Sequence, residues 1–146
     1  VNTGRLGLAA GITGMARWGL RQAIDYAKVR RTFGHPIGDY QAIQFLLADS
    51  ATEIYAAKSM LFNCARKLEL GDAALKEVSM AKLFCTEMAN RVLDRCIQVH
   101  GAMGLTNELR LEAAYRFARS MRIPDGTSEI QRRTIALQLL GGEANL

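Results

Sequence analysis

The stretch "YQAIQFLLADSATEIYAAKSMLFNCARKLEL", residues 40–70, holds neither proline nor glycine, and its apolar residues fall in helical order. Ile43, Leu47, Ser50, Ile54, Ala57, Leu61, Cys64 and Leu68 follow one another at alternating steps of four and three. An α-helix turns once in about 3.6 residues, so these positions draw one stripe along a long helix. A stripe of that kind is stable only when neighbouring helices cover it, which makes the segment one member of a bundle. Gly71 stops the run, and Asp72 is placed to cap the next helix.

The same device recurs on both sides. Val78, Ala81, Cys85, Met88, Val92, Cys96 and Val99 mark a helix from Ala73 to about His100. Upstream, Arg5 to Val29 carries Leu8, Ile12, Met15, Trp18 or Gly19, Gln22 or Ala23, and Tyr26 at the same spacing. Gly7, Gly11 and Gly14 crowd its first half, although glycine disfavours a helix by about 1 kcal/mol relative to alanine. A partner helix or a flat ligand is therefore expected to use the close approach they permit. "RRTFGHPIGDY", residues 30–40, is a loop broken by Gly34, Pro36 and Gly38, and "HGAMGLTN", residues 100–107, is a glycine-punctuated turn. A shorter helix covers roughly Glu108 to Met121, and a last one runs from about Ser128 to Leu140 before Gly141 and Gly142. No alternating strand pattern of any length occurs. The expected architecture is all-α, an up-and-down four-helix bundle with an additional short helix, forming a single domain over residues 1–146.

Composition narrows the function classes. Of 146 residues, 49% are hydrophobic and 23% charged, ordinary values for a globular domain with a core. The chain opens at Val1 on the approach to a helix, and is read as a piece of a longer protein. Its net charge of +5 has no aromatic-interleaved recognition motif beside it, so no nucleic-acid partner is expected. A dinucleotide or CoA phosphate suits such a surface equally well. Cys64, Cys85 and Cys96 lie on apolar stripes without metal-ligand spacing, which predicts reduced core thiols and no metal site. No apolar run approaches the roughly 18 residues of a membrane span. His35 and His100 have no partner by spacing, and there is no Ser/His/Asp set or phosphate-cradling glycine loop.

One stretch stands apart: "IPDGTSEIQRR", residues 123–133. Pro124 fixes its own backbone and biases Ile123 away from helix, while Gly126 permits angles other residues avoid. Asp125 is thereby presented on a sharp turn. Ser128 with Gln131 matches a capping box, so amides point out of a helix start just beyond it. Spacing alone favours the plainer reading, in which Asp125 satisfies loose amides, over a catalytic carboxylate.

Three stretches shift that balance. "PDGTSEIQRRTIA" resembles the E-G-T-x-x-I-Q signature near the C-terminus of acyl-CoA dehydrogenases. "RRTFGHPIGDYQAIQFLLADSA" is similar to their R-x-x-F-G-x-x-I-x-x-x-Q-x-x-x-x-x-L-A-D signature, and "QVHGAMGLTNE" to their Q-x-x-G-G-x-G turn. All three occur in family order over essentially the whole chain. The resemblance implies the C-terminal helical domain of an FAD-dependent enzyme that oxidises acyl-CoA thioesters to trans-2-enoyl-CoA. Asp125 falls at the family's catalytic base and Gly126 beside the thioester. Arg30 matches the arginine that meets the FAD pyrophosphate, with Thr32 and Phe33 on the same cofactor and Gln41 a further contact. Gln98, Val99, His100, Gly101 and Ala102 match the turn holding the adenine-side half of the flavin nucleotide, and Thr127, Ser128 and Glu129 a contact at the helix start. Arg5 aligns with an arginine near the substrate.

Several of these contacts reach a neighbouring subunit's FAD in the family, which implies a homodimer or homotetramer. The resemblance also implies electron-transferring flavoprotein, or a similar acceptor, as redox partner. The compartment it implies is the cytoplasm in bacteria, or the mitochondrial matrix or peroxisome in eukaryotes. The fragment alone is expected to be inactive. Two positions depart from the pattern. Asp125 stands where glutamate is usual, which retracts the carboxylate by one methylene, roughly 1.5 Å, and Ala102 replaces a glycine. Family members that carry the base early in the first helix would place it at Gly4, which cannot serve. Alternative readings are a nitroalkane-oxidase-like or acyl-CoA-oxidase-like flavoenzyme, and a non-enzymatic helical oligomerisation module.

Overall fold

The stripe on residues 40–70 is a helix and lies in a bundle. In the computed structural model, which describes residues 2–142, the chain forms α1 (Asn2–Val29), β1 (Arg31–Thr32), β2 (His35–Pro36), α2 (Gln41–Glu69), α3 (Leu75–His100), α4 (Leu111–Ser120) and α5 (Ser128–Leu140). The architecture is all-α, as the periodicity predicts. Helix α3 is its axis and packs against α1, α2, α4 and α5. Its Val78, Ala81, Cys85, Met88, Ala89, Val92 and Leu93 are wholly buried. α1 meets it with Ile12 and with Ala9, Ala16, Ala23 and Ala27, small residues that let the two axes lie close.

The close approach falls elsewhere than the glycine-rich opening suggests. A β-carbon on Gly7, Gly11 or Gly14 would meet nothing within 4 Å, whereas one on Gly19 would sit 2.7 Å from Leu93 Cδ2. The glycines of the first half face outward. On α2, Ser50, Ile54, Ala57 and Cys64 are buried, while Ile43, Leu47, Leu61 and Leu68 are half-buried along the same stripe. All three cysteines are free and buried. Burial pushes the Cys85 thiol up to about 11 and the Cys96 thiol up to about 12, which removes both as thiolate nucleophiles near neutral pH.

The connections differ from expectation in four places. The loop at residues 30–40 contains a minimal antiparallel hairpin, pairing Arg31 with Pro36 and Thr32 with His35. Asp72 does not cap α3. Its Oδ1 accepts from the Ala74 amide at 2.9 Å, an Asx-turn, and Ala74 occupies the cap position with φ 46°. The α5 cap is Thr127, one residue before the expected Ser128, with its hydroxyl accepting from the Ile130 amide. That shift takes Gln131 out of a capping box and into the core. Residues Gly101–Leu105 form a 3₁₀ turn, so α4 starts later than the sequence suggests. Among the described residues no helix is long and apolar enough to cross a membrane, and no three His, Cys, Asp or Glu side chains gather as a metal site.

Candidate functional site: the acid turn and the hairpin

Residues 121–127 leave α4 and enter α5 through a turn whose middle is left-handed, with Asp125 at φ 57° and Gly126 at φ 96°. A non-glycine residue in that region is strained by about 1–2 kcal/mol, so the surroundings must hold it. They do so through the two carbonyls of the pair. The Asp125 carbonyl accepts from Arg5 Nε on α1 and from Gln131 Nε2 on α5, each at 3.0 Å. The Gly126 carbonyl accepts from Lys82 Nζ on α3 at 2.7 Å and again from Gln131 Nε2 at 3.0 Å. A β-carbon on Gly126 would lie 2.8 Å from that same Nε2, so only glycine fits. The Asp125 side chain itself is exposed. Its carboxylate lies beside the first turn of α1, where a β-carbon on Gly4 would begin 4.0 Å from Asp125 Oδ2. The absent side chain at Gly4 leaves the carboxylate open on that flank.

Charges beneath the turn are mixed. Lys82 and Gln131 are both wholly buried. Burial pulls the Lys82 ammonium below its ordinary range, against the attraction of Asp125, while Arg5 and Arg122 lower it further. Glu87 on α3 joins Arg122 and Arg132, with Arg132 Nη1 2.8 Å and Arg122 Nη2 3.3 Å from its Oε1. Burial opposes ionisation of Glu87, but the hydrogen bond and charge of Arg132 prevail and hold the carboxyl below its usual range. Glu129 is held low by its own backbone amide and then by the Thr127 hydroxyl. The Ser128 hydroxyl faces inward, accepting from Arg122 Nε at 3.3 Å. Of the Thr127, Ser128 and Glu129 trio, Glu129 alone has an exposed side chain.

The other group of expected site residues gathers at the far end of α1. Phe33 is 94% exposed at the tip of the hairpin, with φ 51°. The tip is fixed from within, since Arg31 Nη2 donates to the Gly34 carbonyl and Tyr40 Oη to the Thr32 carbonyl, both at 2.7 Å. Arg30 and Gln41 point outward beside it. Among the described residues no ion pair engages the Arg30 guanidinium. Tyr26, one turn before Arg30, stacks on His100 with ring centroids 4.5 Å apart, which brings the end of α3 to the same side. The His100 Nδ1 donates to the Cys96 carbonyl at 2.7 Å, and both His100 and Val99 are buried. Gln98, Gly101 and Ala102 are exposed. Val99 and His100 can therefore reach a ligand through their backbone only.

The two groups do not meet within one chain. Arg5 touches the acid turn, and Arg30 closes the far end of the same helix. At about 1.5 Å per residue the separation of Arg5 from Arg30 along that helix is roughly 37 Å. Sequence reasoning expected several of these contacts to reach a neighbouring subunit's FAD without dividing the residues between copies, and it missed Lys82 and the anchoring role of Gln131. A lysine inside an apolar run, "VSMAKLFC", was the available signal for the first.

Comparison with known proteins gives this arrangement a context. The sequence profile of the family "Acyl-CoA dehydrogenase, C-terminal domain" matches residues 1–140. A probable acyl-CoA dehydrogenase of Bacillus subtilis is 45% identical over 137 residues, covering 94% of this chain and 36% of the relative. A subunit of the caffeyl-CoA reductase–Etf complex of Acetobacterium woodii is 41% identical over 140 residues, covering 96% of this chain and 37% of that protein. The structure of butyryl-CoA dehydrogenase from Megasphaera elsdenii superposes with a TM-score of 0.93 at 32% identity, over 95% of this chain and 36% of the other. The chain thus spans little more than a third of the length of the relatives it matches. It belongs to the acyl-CoA dehydrogenase family, as a C-terminal domain of that family.

Proposed function

We propose that this chain is the C-terminal helical domain of a longer FAD-dependent acyl-CoA dehydrogenase, with Asp125 as the base that takes the α-proton of an acyl-CoA thioester. The acid turn carries this reading. A left-handed aspartate whose own carbonyl and that of Gly126 are held by three helices, with its carboxylate left open, is built to aim that carboxylate. The α-hydrogen beside a thioester is weakly acidic, so the base must be aimed and stripped of water. Asp125 supplies the aim; bound substrate and the remainder of the enzyme would cover it. Bound FAD would supply the hydride acceptor for the β-hydrogen, while Asp125 takes and holds the α-proton, so that loss of both hydrogens leaves the trans-2-enoyl thioester.

The far end fits the nucleotide. The outward guanidinium of Arg30 offers a planar fork of donors suited to a diphosphate, and Phe33 an exposed ring beside it. Gly101 and Ala102 leave backbone open for the adenine side. Because Arg30 lies roughly 37 Å along α1 from Arg5, which touches the acid turn, each FAD would take the hairpin from a second copy, and the working unit is a homodimer or homotetramer. Electron-transferring flavoprotein is the proposed redox partner, in keeping with the similarity to a subunit of an Etf-containing complex. That same similarity to a reductase supports a second direction of use, in which Asp125 returns a proton to the α-carbon of an enoyl thioester.

The test is Asp125→Asn in the full-length protein. Flavin reduction by acyl-CoA is expected to fall by several orders of magnitude while FAD stays bound. Reduction at a near-normal rate would reject Asp125 as base. Oxygen consumption during turnover, with no acceptor added, would move the protein to the oxidase branch.

A further inference from the structure

Lys82 is an expensive residue where it stands. It is wholly buried on α3, and an ammonium removed from water costs several kcal/mol unless its charge and donors are used. A leucine or methionine would fill the same space on a face already made of Val78, Ala81 and Cys85. The Lys82 Nζ donates to the Gly126 carbonyl at 2.7 Å, the shortest of the contacts on the acid turn. The groups facing it are Arg5 from α1, Arg122 and Asp125 from the turn, and Glu129 from α5.

The geometry points to a role for Lys82 as the positioning residue of the base: its buried ammonium clamps the Gly126 carbonyl and so fixes the direction of the Asp125 carboxylate. This rests on the reading of Asp125 as base. The Asp125–Gly126 pair is left-handed at both residues, and the peptide after Gly126 is the joint about which it would relax. Gln131 bridges both carbonyls with a single amide group, and Arg5 holds the first alone. Lys82 is the charged donor on the second. Aim matters more for this chain than for one with glutamate, because the shorter aspartate has one torsion fewer with which to correct a misdirected backbone. A misplacement of about 1 Å is enough to slow a positioned reaction on the order of 100-fold.

The test uses the full-length flavoenzyme with Lys82→Met, Lys82→Gln and Asp125→Asn made in parallel. Lys82→Met is expected to slow flavin reduction by about 10- to 100-fold. KM for acyl-CoA should stay within about twofold, FAD content per subunit should be unchanged, and the isotope effect with α-deuterated substrate should grow as proton removal becomes slower. Lys82→Gln keeps an N–H donor and should recover part of the rate. A lysine that only fills the core would behave differently: melting temperature and FAD content would fall while the rate per bound flavin stayed normal, which overturns the proposal. If Asp125→Asn abolishes reduction and Lys82→Met leaves it unchanged, the clamp falls and the base stands. If Asp125→Asn leaves reduction intact, the base reading itself falls. Should neither lysine variant fold, a structure of the unmodified holoenzyme with a non-reactive acyl-CoA thioether decides. An ammonium on the Gly126 carbonyl with the Asp125 carboxylate at the α-carbon supports the clamp; an ammonium withdrawn from that carbonyl overturns it.

Discussion

The acid turn and the hairpin both present a non-glycine residue at positive φ, yet they are held in opposite ways. Asp125 is kept in place by Arg5, Lys82 and Gln131, two of which lie far away in sequence, so its geometry exists only when α1, α3 and α5 are packed together. Phe33 is kept in place by Arg31 and Tyr40, its near neighbours, and needs little of the bundle. One end assembles a direction for a carboxylate; the other displays a ring and a cation on a self-supporting loop. An element that must aim a reacting group is tied to the core, while an element that docks on a flexible ligand can be local.

Three substitutions probe that contrast. Gly104→Ala should have the largest effect, because its β-carbon would sit 2.8 Å from the Ile97 carbonyl oxygen and 2.9 Å from Ile97 Cα, backbone that cannot rotate away. We expect a loss of about 1–3 kcal/mol, read as a lowered denaturation midpoint, with Gly101 and Ala102 displaced and the acid turn spared. Gln131→Leu should follow, at about 1–2 kcal/mol, since Arg5 and Lys82 still satisfy the carbonyls it leaves. Its signature would be a flavin reduction rate that falls more than stability does. Phe33→Ser should change stability by less than about 0.5 kcal/mol, because the ring is exposed. FAD retention on gel filtration should nevertheless weaken, and unchanged retention would remove Phe33 from the nucleotide site.

Legibility in the sequence tracked how local each cause was. The bundle could be read from the steps of four and three on residues 40–70, because burial of one helix side writes that period directly. Asp125 stood out because Pro124 and Gly126 bracket it, but its weight as a base came from the signature around it. Thr127 and Ser128 are both good caps, so chemistry alone could not choose between them, and packing of Gln131 into the core decided it. Lys82 was hidden for the opposite reason: lysine is almost never wholly buried, so its type argues for solvent wherever it falls. The separation of the two site groups was legible in principle from the length of α1. The resemblance already implied contacts to a neighbouring subunit's FAD, but family signatures record which residues serve a site, not which copy supplies each.

Subunit hybrids can show whether one copy's acid turn works with another copy's hairpin. Full-length protein carrying Asp125→Asn is mixed, after dissociation and reassembly, with protein carrying Arg30→Glu, each alone being inactive. If every site joins the acid turn of one copy to the hairpin of another, each hybrid dimer regains one intact site, and an equal mixture recovers about a quarter of wild-type activity. If both groups served the FAD of their own chain, each hybrid site would carry one lesion. The mixture would then stay as inactive as its parents, and the two-copy account would be wrong.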